Sequence, residues 1–329
     1  MASFVFALNA VAPIIFMVAI GYVLKKVGLM NESFIRAGNK LGFRIFLPAM
    51  LFVNVYKIES LSGIDLGYIG YAMAALAVIF AVSLVSVLVF TKKRECRGVL
   101  LQSAFRSNYA LIGIPLANSL FGDEGVAVAT LLSAILIPAF NVLAVISLSI
   151  FSGDGKKPSA GGIILGIIKN PLIQAIVAGV AVLGIRTIFV QNGIDFRLRD
   201  VTAVYSVLEY LSEIATPLAL LILGAQFEFS AVTSLRREVV FGTVMRTLVV
   251  PALGIGAAYL FFSHCFGGAH FAAFVAMFAT PVAVSSVAMA QEMDSDDILA
   301  GQLVVWTTLF STVSIFLASL LLRMAGIFN

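Results

Sequence analysis

The chain reads as long apolar stretches separated by short polar ones. Ten stretches are continuous enough to be helices, at residues 4–24, 38–57, 66–90, 98–121, 125–151, 161–184, 201–226, 237–262, 269–291 and 298–322. Each is near the ~20 residues that carry an α-helix across a bilayer core. Strands of a membrane barrel would instead alternate in polarity over ~10 residues. The pattern predicts an all-α polytopic membrane protein with ten transmembrane helices. The longest polar connection runs from 185 to 200, so no sizeable soluble domain fits between spans. The first stretch starts at Phe4, and its positive charges, Lys25 and Lys26, follow it. A secretory signal has the opposite polarity, so a retained first span is expected.

Composition strengthens this reading. Of 329 residues, 61% are apolar and 12% charged. Soluble domains average about 45–50% apolar and about 25% charged, so the two soluble domains that length alone suggests are excluded. The mean hydropathy is +1.07. The net charge of +4 does not indicate nucleic acid, because membrane proteins concentrate Lys and Arg in cytoplasmic loops. On one side of the predicted spans lie 13 basic residues, from Lys25, Lys26, Arg36 and Lys40 to Arg236 and Arg237; the other side has five, Lys57, Arg186, Arg197, Arg199 and Arg323. This bias predicts a multi-pass protein of the cell membrane with both termini outside the cytoplasm. It also puts Cys96 and Cys265 on opposite faces, where they cannot pair within a chain.

Proline positions reveal a repeat. Pro13 and Pro171 are each followed by glycine eight residues on, Gly21 and Gly179; Pro48 matches Pro217, and Pro115 matches Pro281. Pro138 and Pro251 have no partner. Five spans is an odd number, so the second copy inserts upside down, as in secondary transporters. The expected repeats are 1–157 and 158–329. In such folds the site lies near the midplane, where helices are broken. Proline removes a backbone donor and frees a carbonyl one turn earlier. Helices 4 and 9, with central Pro115 and Pro281 among small polar residues, are the expected crossing pair.

The candidate site follows. Arg106, Ser107 and Asn108 precede Pro115 in span 4; Thr280, Pro281, Ser285, Ser286 and Gln291 lie in span 9. Asn108 and Ser107 supply hydrogen bonds, and Arg106 suits a carboxylate. The alternative for Arg106 is snorkelling to the nearer interface, and for the serines bonding to their own helix backbone. Half-helix N-termini meeting at the midplane favour an anion. Glu213, four residues before Pro217, corresponds to Arg44, four before Pro48. A buried carboxylate favours its protonated form, as proton coupling requires; the alternative is an ion pair with Arg44, Arg106 or Arg246. Gln291 and Glu292 are the candidate sodium ligands. His264, Cys265 and His270 share one outer loop but lack a zinc-site pattern. Neither a phosphate loop nor HExxH nor a serine elbow is present, which counts against an enzyme; no metal or cofactor is expected.

These residues also resemble a known family. FLPAMLFVNV (46–55), RSNYALIGIPLANSLFGDEG (106–125), KNPLIQAIVAGVAVLG (169–184), IATPLALLILGAQF (214–227) and PVAVSSVAMAQEMDSDD (281–297) are similar to the landmarks of the auxin efflux carrier family, which includes plant PIN-type carriers and microbial malonate or malate permeases. The resemblance implies two inverted five-helix repeats, a scaffold and a transport bundle, helices crossing at Pro115 and Pro281 with Asn108 in the pocket, and a homodimer. Span 4 lacks the Asn-Pro pair of plant carriers, reading Gly113-Ile114-Pro115, and the long central loop of many plant members is absent; both favour the short microbial type. The expected function is a secondary carrier for a small organic anion, a mono- or dicarboxylate, with a proton or sodium as possible coupling ion. The alternatives are a sodium-coupled carrier of larger amphipathic anions and a receptor that binds an anion without moving it.

Overall fold

The computed structural model describes residues 2–57, 65–151 and 160–328. The expected repeat boundary at 157/158 lies outside them, as do Lys156, Lys157 and Pro158. The elements are α1 (Ala2–Lys26), α2 (Glu32–Leu41), α3 (Leu47–Tyr56), α4 (Leu66–Phe90), α5 (Arg94–Phe105), α6 (Ile114–Phe151), α7 (Ala160–Lys169), α8 (Pro171–Gln191), α9 (Thr202–Gln226), α10 (Phe229–Ser234), α11 (Arg236–Val244), α12 (Val250–Phe262), α13 (Gly268–Phe278), α14 (Ser285–Glu292) and α15 (Asp297–Met324). Among the described residues the sole β pairing is one isolated bridge. Among the described residues, six helical stretches are long and apolar enough to cross a bilayer: Leu66–Phe90, Tyr109–Phe151, Pro171–Gln191, Thr202–Gln226, Arg236–Phe262 and Asp297–Met324. The protein is a helical, multi-pass membrane protein.

Three π-helical segments, Gly42–Phe46, Tyr109–Gly113 and Met245–Val249, each end two residues before a proline: Pro48, Pro115 and Pro251. The cause is local. Proline has no N–H for the carbonyl four residues back, and its ring crowds that carbonyl. A π turn bonds five residues back, shifting the ladder before the missing donor. Leu47, Ile114 and Val250 accordingly donate their N–H groups to the carbonyls of Gly42, Tyr109 and Met245. The helices therefore continue through these prolines, and Pro115 does not break span 4 as expected. The break lies at Arg106–Asn108, upstream of the proline.

Both ends of α8 differ from the expected span at 161–184, whereas the turn inside α6 falls where spans 4 and 5 are expected to part. Pro171 opens α8 at its first turn, with the Asn170 side chain capping Leu172 N–H, since a first-turn proline loses no intrahelical bond. From there the helix runs to Gln191, into the expected connection, because the sequence stays apolar and Arg186 reaches back to Tyr56 O at 3.2 Å and over its ring. In α6 the chain turns at Phe121 and Gly122; Gly122, at φ 57° and ψ −149°, occupies a region essentially closed to side chains.

The helices sort into two packing groups. In one, α1 lies along α9, and α3 lies on both α8 and α9. In the other, α13 and α5 pack on α6, α4 on α5, and α11 and α14 on α15. The first group is tied by backbone-to-backbone approach. A side chain at Gly21 of α1 would strike the Leu221 backbone of α9, and one at Gly224 of α9 the Val18 and Tyr22 backbone of α1. Gly179 of α8 leaves room for the Val55 side chain of α3, which a side chain there would strike. The groups meet chiefly where α1 touches α15 and α6, and where α14 touches α2 and α9.

Candidate functional site

Two interrupted helices cross inside the second group. α5 ends at Phe105, and helix resumes at Tyr109; α13 ends at Phe278, and helix resumes at Ser285. The intervening strands of chain pair in antiparallel fashion around Ser107 and Val282. Asn108 N donates to Pro281 O at 2.8 Å and Ala283 N to Arg106 O at 3.3 Å. The crossing brings the candidates Arg106, Ser107 and Asn108 together with Thr280, Pro281 and Ser285. Pro115 sits further along in α6. Its expected counterpart, Pro281, is at the break itself, so the two prolines are not structural equivalents.

Arg106 is buried, at 4% exposure, and does not snorkel. Its guanidinium donates to Asn141 Oδ1 at 2.7 Å, Ser285 Oγ at 2.9 Å and Ser286 Oγ at 3.4 Å, and it contacts Met289 Sδ. All four partners are neutral. Ser285 and Ser286 begin α14, the end at which the helix dipole places partial positive charge. A buried cation beside a positive helix end is unfavourable unless an anion joins them. Close by, Ser107 Oγ, Asn108 Nδ2 and Gln102 Oε1 are buried without a hydrogen-bond partner among the described residues. Each such orphan costs about 1–3 kcal/mol, so their gathering at one crossing marks a place built for a polar ligand.

Arg246 is a second buried arginine, at 0% exposure. It donates to Ala104 O and Met277 O at 3.0 Å and to Thr280 O at 2.8 Å. These are last-turn carbonyls of α5 and α13 and one from the crossing strand. Thr280 Oγ1 donates to Ala276 O at 2.7 Å, and Val282 N to Thr307 Oγ1 at 3.1 Å. Arg246 thus fastens both broken helices by their negative ends. Buried among these carbonyls, Arg246 is an inward-facing structural charge rather than an ion-pair partner of Glu213.

The remaining candidates lie elsewhere. Gln291, near the end of α14, accepts from Asn39 of α2 and, at 3.3 Å, from Gln226 of α9; Asn39 also donates to Gln226 Oε1 at 3.1 Å. Glu292 pairs with Arg44 at 3.9 Å. Glu213 is exposed on α9 and has no ion pair with Arg44, Arg106 or Arg246 among the described residues, so the buried carboxylate expected there is not found. Its neighbour Glu209 pairs with Lys57 at 2.9 Å. His270 stands against the Tyr68 ring at 4.8 Å and 3.9 Å from Asp65, holding the start of α13 to that of α4. Asn141, Gln102, Asn39 and Gln226 escaped the sequence reading. Polar residues in apolar helices, with Asn141 three residues after Pro138, were the available signal.

The model of one family matches residues 6–319, and that family is described as membrane transport protein. The chain belongs to this membrane transport family. It is the family of the auxin-efflux-carrier resemblance. An uncharacterized transporter of Methanothermobacter thermautotrophicus is 24% identical over 321 residues, covering 95% of this chain and 98% of that one. A second, uncharacterized transporter MJ1031 of Methanocaldococcus jannaschii, is 24% identical over 259 residues, covering 74% and 77%. A membrane transporter with a crossing of two broken helices at its polar centre accounts for both the family and the geometry.

Proposed function

We propose that this transporter is a secondary active carrier for a small organic anion, a mono- or dicarboxylate. The observation that carries this is Arg106: a buried guanidinium with neutral partners beside the N-terminus of α14. A carboxylate placed there gains a charge-assisted, bidentate contact and the field of the helix end. Asn108, with its free amide, takes a second oxygen of the substrate. Ser107, Thr280 and Ser285 line the pocket, and Pro281 keeps its strand extended.

Transport in this reading is alternating access, one packing group moving against the other. Two inverted five-helix repeats, 1–157 and 158–329, fit the symmetry of the contacts. Gly21 of the first span meets the seventh, as Gly179 of the sixth meets the second, and the crossing strands exchange reciprocal bonds. Basic loops place both termini outside, and the family resemblance favours a homodimer.

We place ion coupling at Gln291 rather than Glu213. From Ser285 to Gln291 is about 9 Å along α14, so one short helix joins the substrate pocket to the amides of α2 and α9. That amide cluster favours sodium as the coupling ion. Reconstituted protein in proteoliposomes should take up or exchange carboxylates from a mono- and dicarboxylate panel. A sodium gradient should accelerate uptake. Absence of uptake, exchange and binding across the panel rejects the carrier; saturable binding without counterflow replaces it with a receptor.

A further inference from the structure

An open apolar groove runs between α11 and α12 on one side and α15 on the other. Its first stretch, of about 470 Å³, is lined by Arg236, Val240, Val244, Trp306 and Phe310 among others. A second stretch of about 590 Å³ shares Thr247, Leu248 and Ser314 with the first and continues it. The floor is low because its residues are small and bonded inward: Thr247 Oγ1 donates to Thr243 O at 2.8 Å and Ser314 Oγ to Thr247 O at 2.5 Å. Val240, Val244, Leu248 and Phe310 stand exposed along it. The helical path from Arg236 to Leu248 is about 18 Å, close to half of a ~30 Å hydrocarbon core. The first stretch is therefore as long as one leaflet.

The mouth of the groove is cationic. Arg236 lines it; Arg236 and, outside the lining, Lys92 are exposed, and neither side chain has a hydrogen bond or ion pair among the described residues. Arg237 lies over the Phe90 ring, and Lys93 lies 3.6 Å from Glu238, so the Lys92–Lys93 loop adjoins the start of α11. Glu238 is buried and engaged by Lys93, leaving Arg236 and Lys92 without a counter-charge. Such an end matches a phosphate, which a guanidinium grips through two parallel bonds.

We propose that this groove binds an anionic phospholipid, an acyl chain lying between α11 and α15 and the headgroup phosphate resting on Arg236. The site is separate from the crossing and does not depend on the carboxylate reading. The test is native mass spectrometry of the full-length protein in detergent, with equal dioleoyl phosphatidylglycerol and dioleoyl phosphatidylcholine. The phosphatidylglycerol should be retained in preference. Arg236→Gln should lower that preference about fivefold, the worth of one cationic side chain near a headgroup, whereas Arg236→Lys should keep most of it. Val244→Trp should fill the groove and reduce binding of both lipids, and Arg199→Gln, at an exposed arginine elsewhere, should change nothing. Melting temperatures identify any variant that has lost its fold. Equal retention of the two lipids overturns the proposal, as does a preference unmoved by Arg236→Gln. A lipid-free dimer dissociated by Val244→Trp assigns the groove to a second copy of the chain instead.

Discussion

Arg106 and Arg246 are the same residue, both are inside the protein, and both attend the same crossing, yet they do different work. Arg246 faces the C-terminal ends of α5 and α13 and spends its donors on three backbone carbonyls. Those ends carry partial negative charge, so the protein itself supplies the counter-charge. Arg106 faces the N-terminal end of α14, among hydroxyls, an amide and a thioether. None of these partners is negative. The sign of the helix end that a buried cation meets separates a structural fastening from a group that waits for a ligand.

The comparison breaks first at Arg246. Arg246→Met removes the cation and leaves three buried carbonyls without donors, each costing about 1–3 kcal/mol. A large fall in melting temperature in detergent, partly restored in Arg246→Lys, is the expected result; an unchanged melting temperature would remove its structural role. Arg106→Gln should do the opposite. Taking away an uncompensated buried charge leaves stability level or raises it. Loss of a charge-assisted contact to substrate, about 1.5–3 kcal/mol, should weaken carboxylate uptake about ten- to hundredfold. If Arg106→Gln unfolds the protein while transport per folded molecule stays normal, the two arginines are alike after all.

Much of this was legible in the sequence, but not the distinction between the arginines. Apolar run length identified a helical, multi-pass membrane protein, and α4 matches its predicted span at both ends, because hydrocarbon thickness fixes that length. The neighbourhood of the crossing was visible as polar residues in apolar helices. The position of the first break was not. Proline reads as a helix breaker, and Pro281 does stand at the second break, but a π turn absorbs Pro48, Pro115 and Pro251, and the first break settles around Ser107, where no proline stands. Glu213 misled for a related reason. Sequence gives a residue's depth along a helix but not its azimuth, and α9 turns Glu213 outward. Arg246 and Asn141 needed tertiary information, since their partners come from distant parts of the chain.

A smaller effect is expected at Asn108, whose free amide donor offers a neutral hydrogen bond. Asn108→Ala should raise the KM of uptake about two- to tenfold, from the ~0.5–1.5 kcal/mol of such a bond, with folded protein unchanged. Unchanged kinetics would take Asn108 out of the site and leave Arg106 to act alone.

The smallest effect, an exposed ion pair, sharpens the contrast with both buried cations. Glu32 lies 2.8 Å from Lys25, with 63% of its side chain exposed. The hydrogen bond from Lys25, and then its charge, hold the Glu32 carboxyl below its ordinary value of 4.5. A group lowered in the folded state stabilises it fully above the unfolded value and loses that contribution as pH falls through the folded one. The melting-temperature gap between wild type and Glu32→Gln should therefore be small at neutral pH, close on acidification below 4.5, and shrink in about 1 M salt, which screens exposed charges. The Arg246→Met gap should survive that salt, because a guanidinium sealed between two helix ends is out of reach of mobile ions. Equal salt sensitivity in the two variants would mean that water and ions reach the crossing, and that burial does not set Arg246 apart from a surface charge.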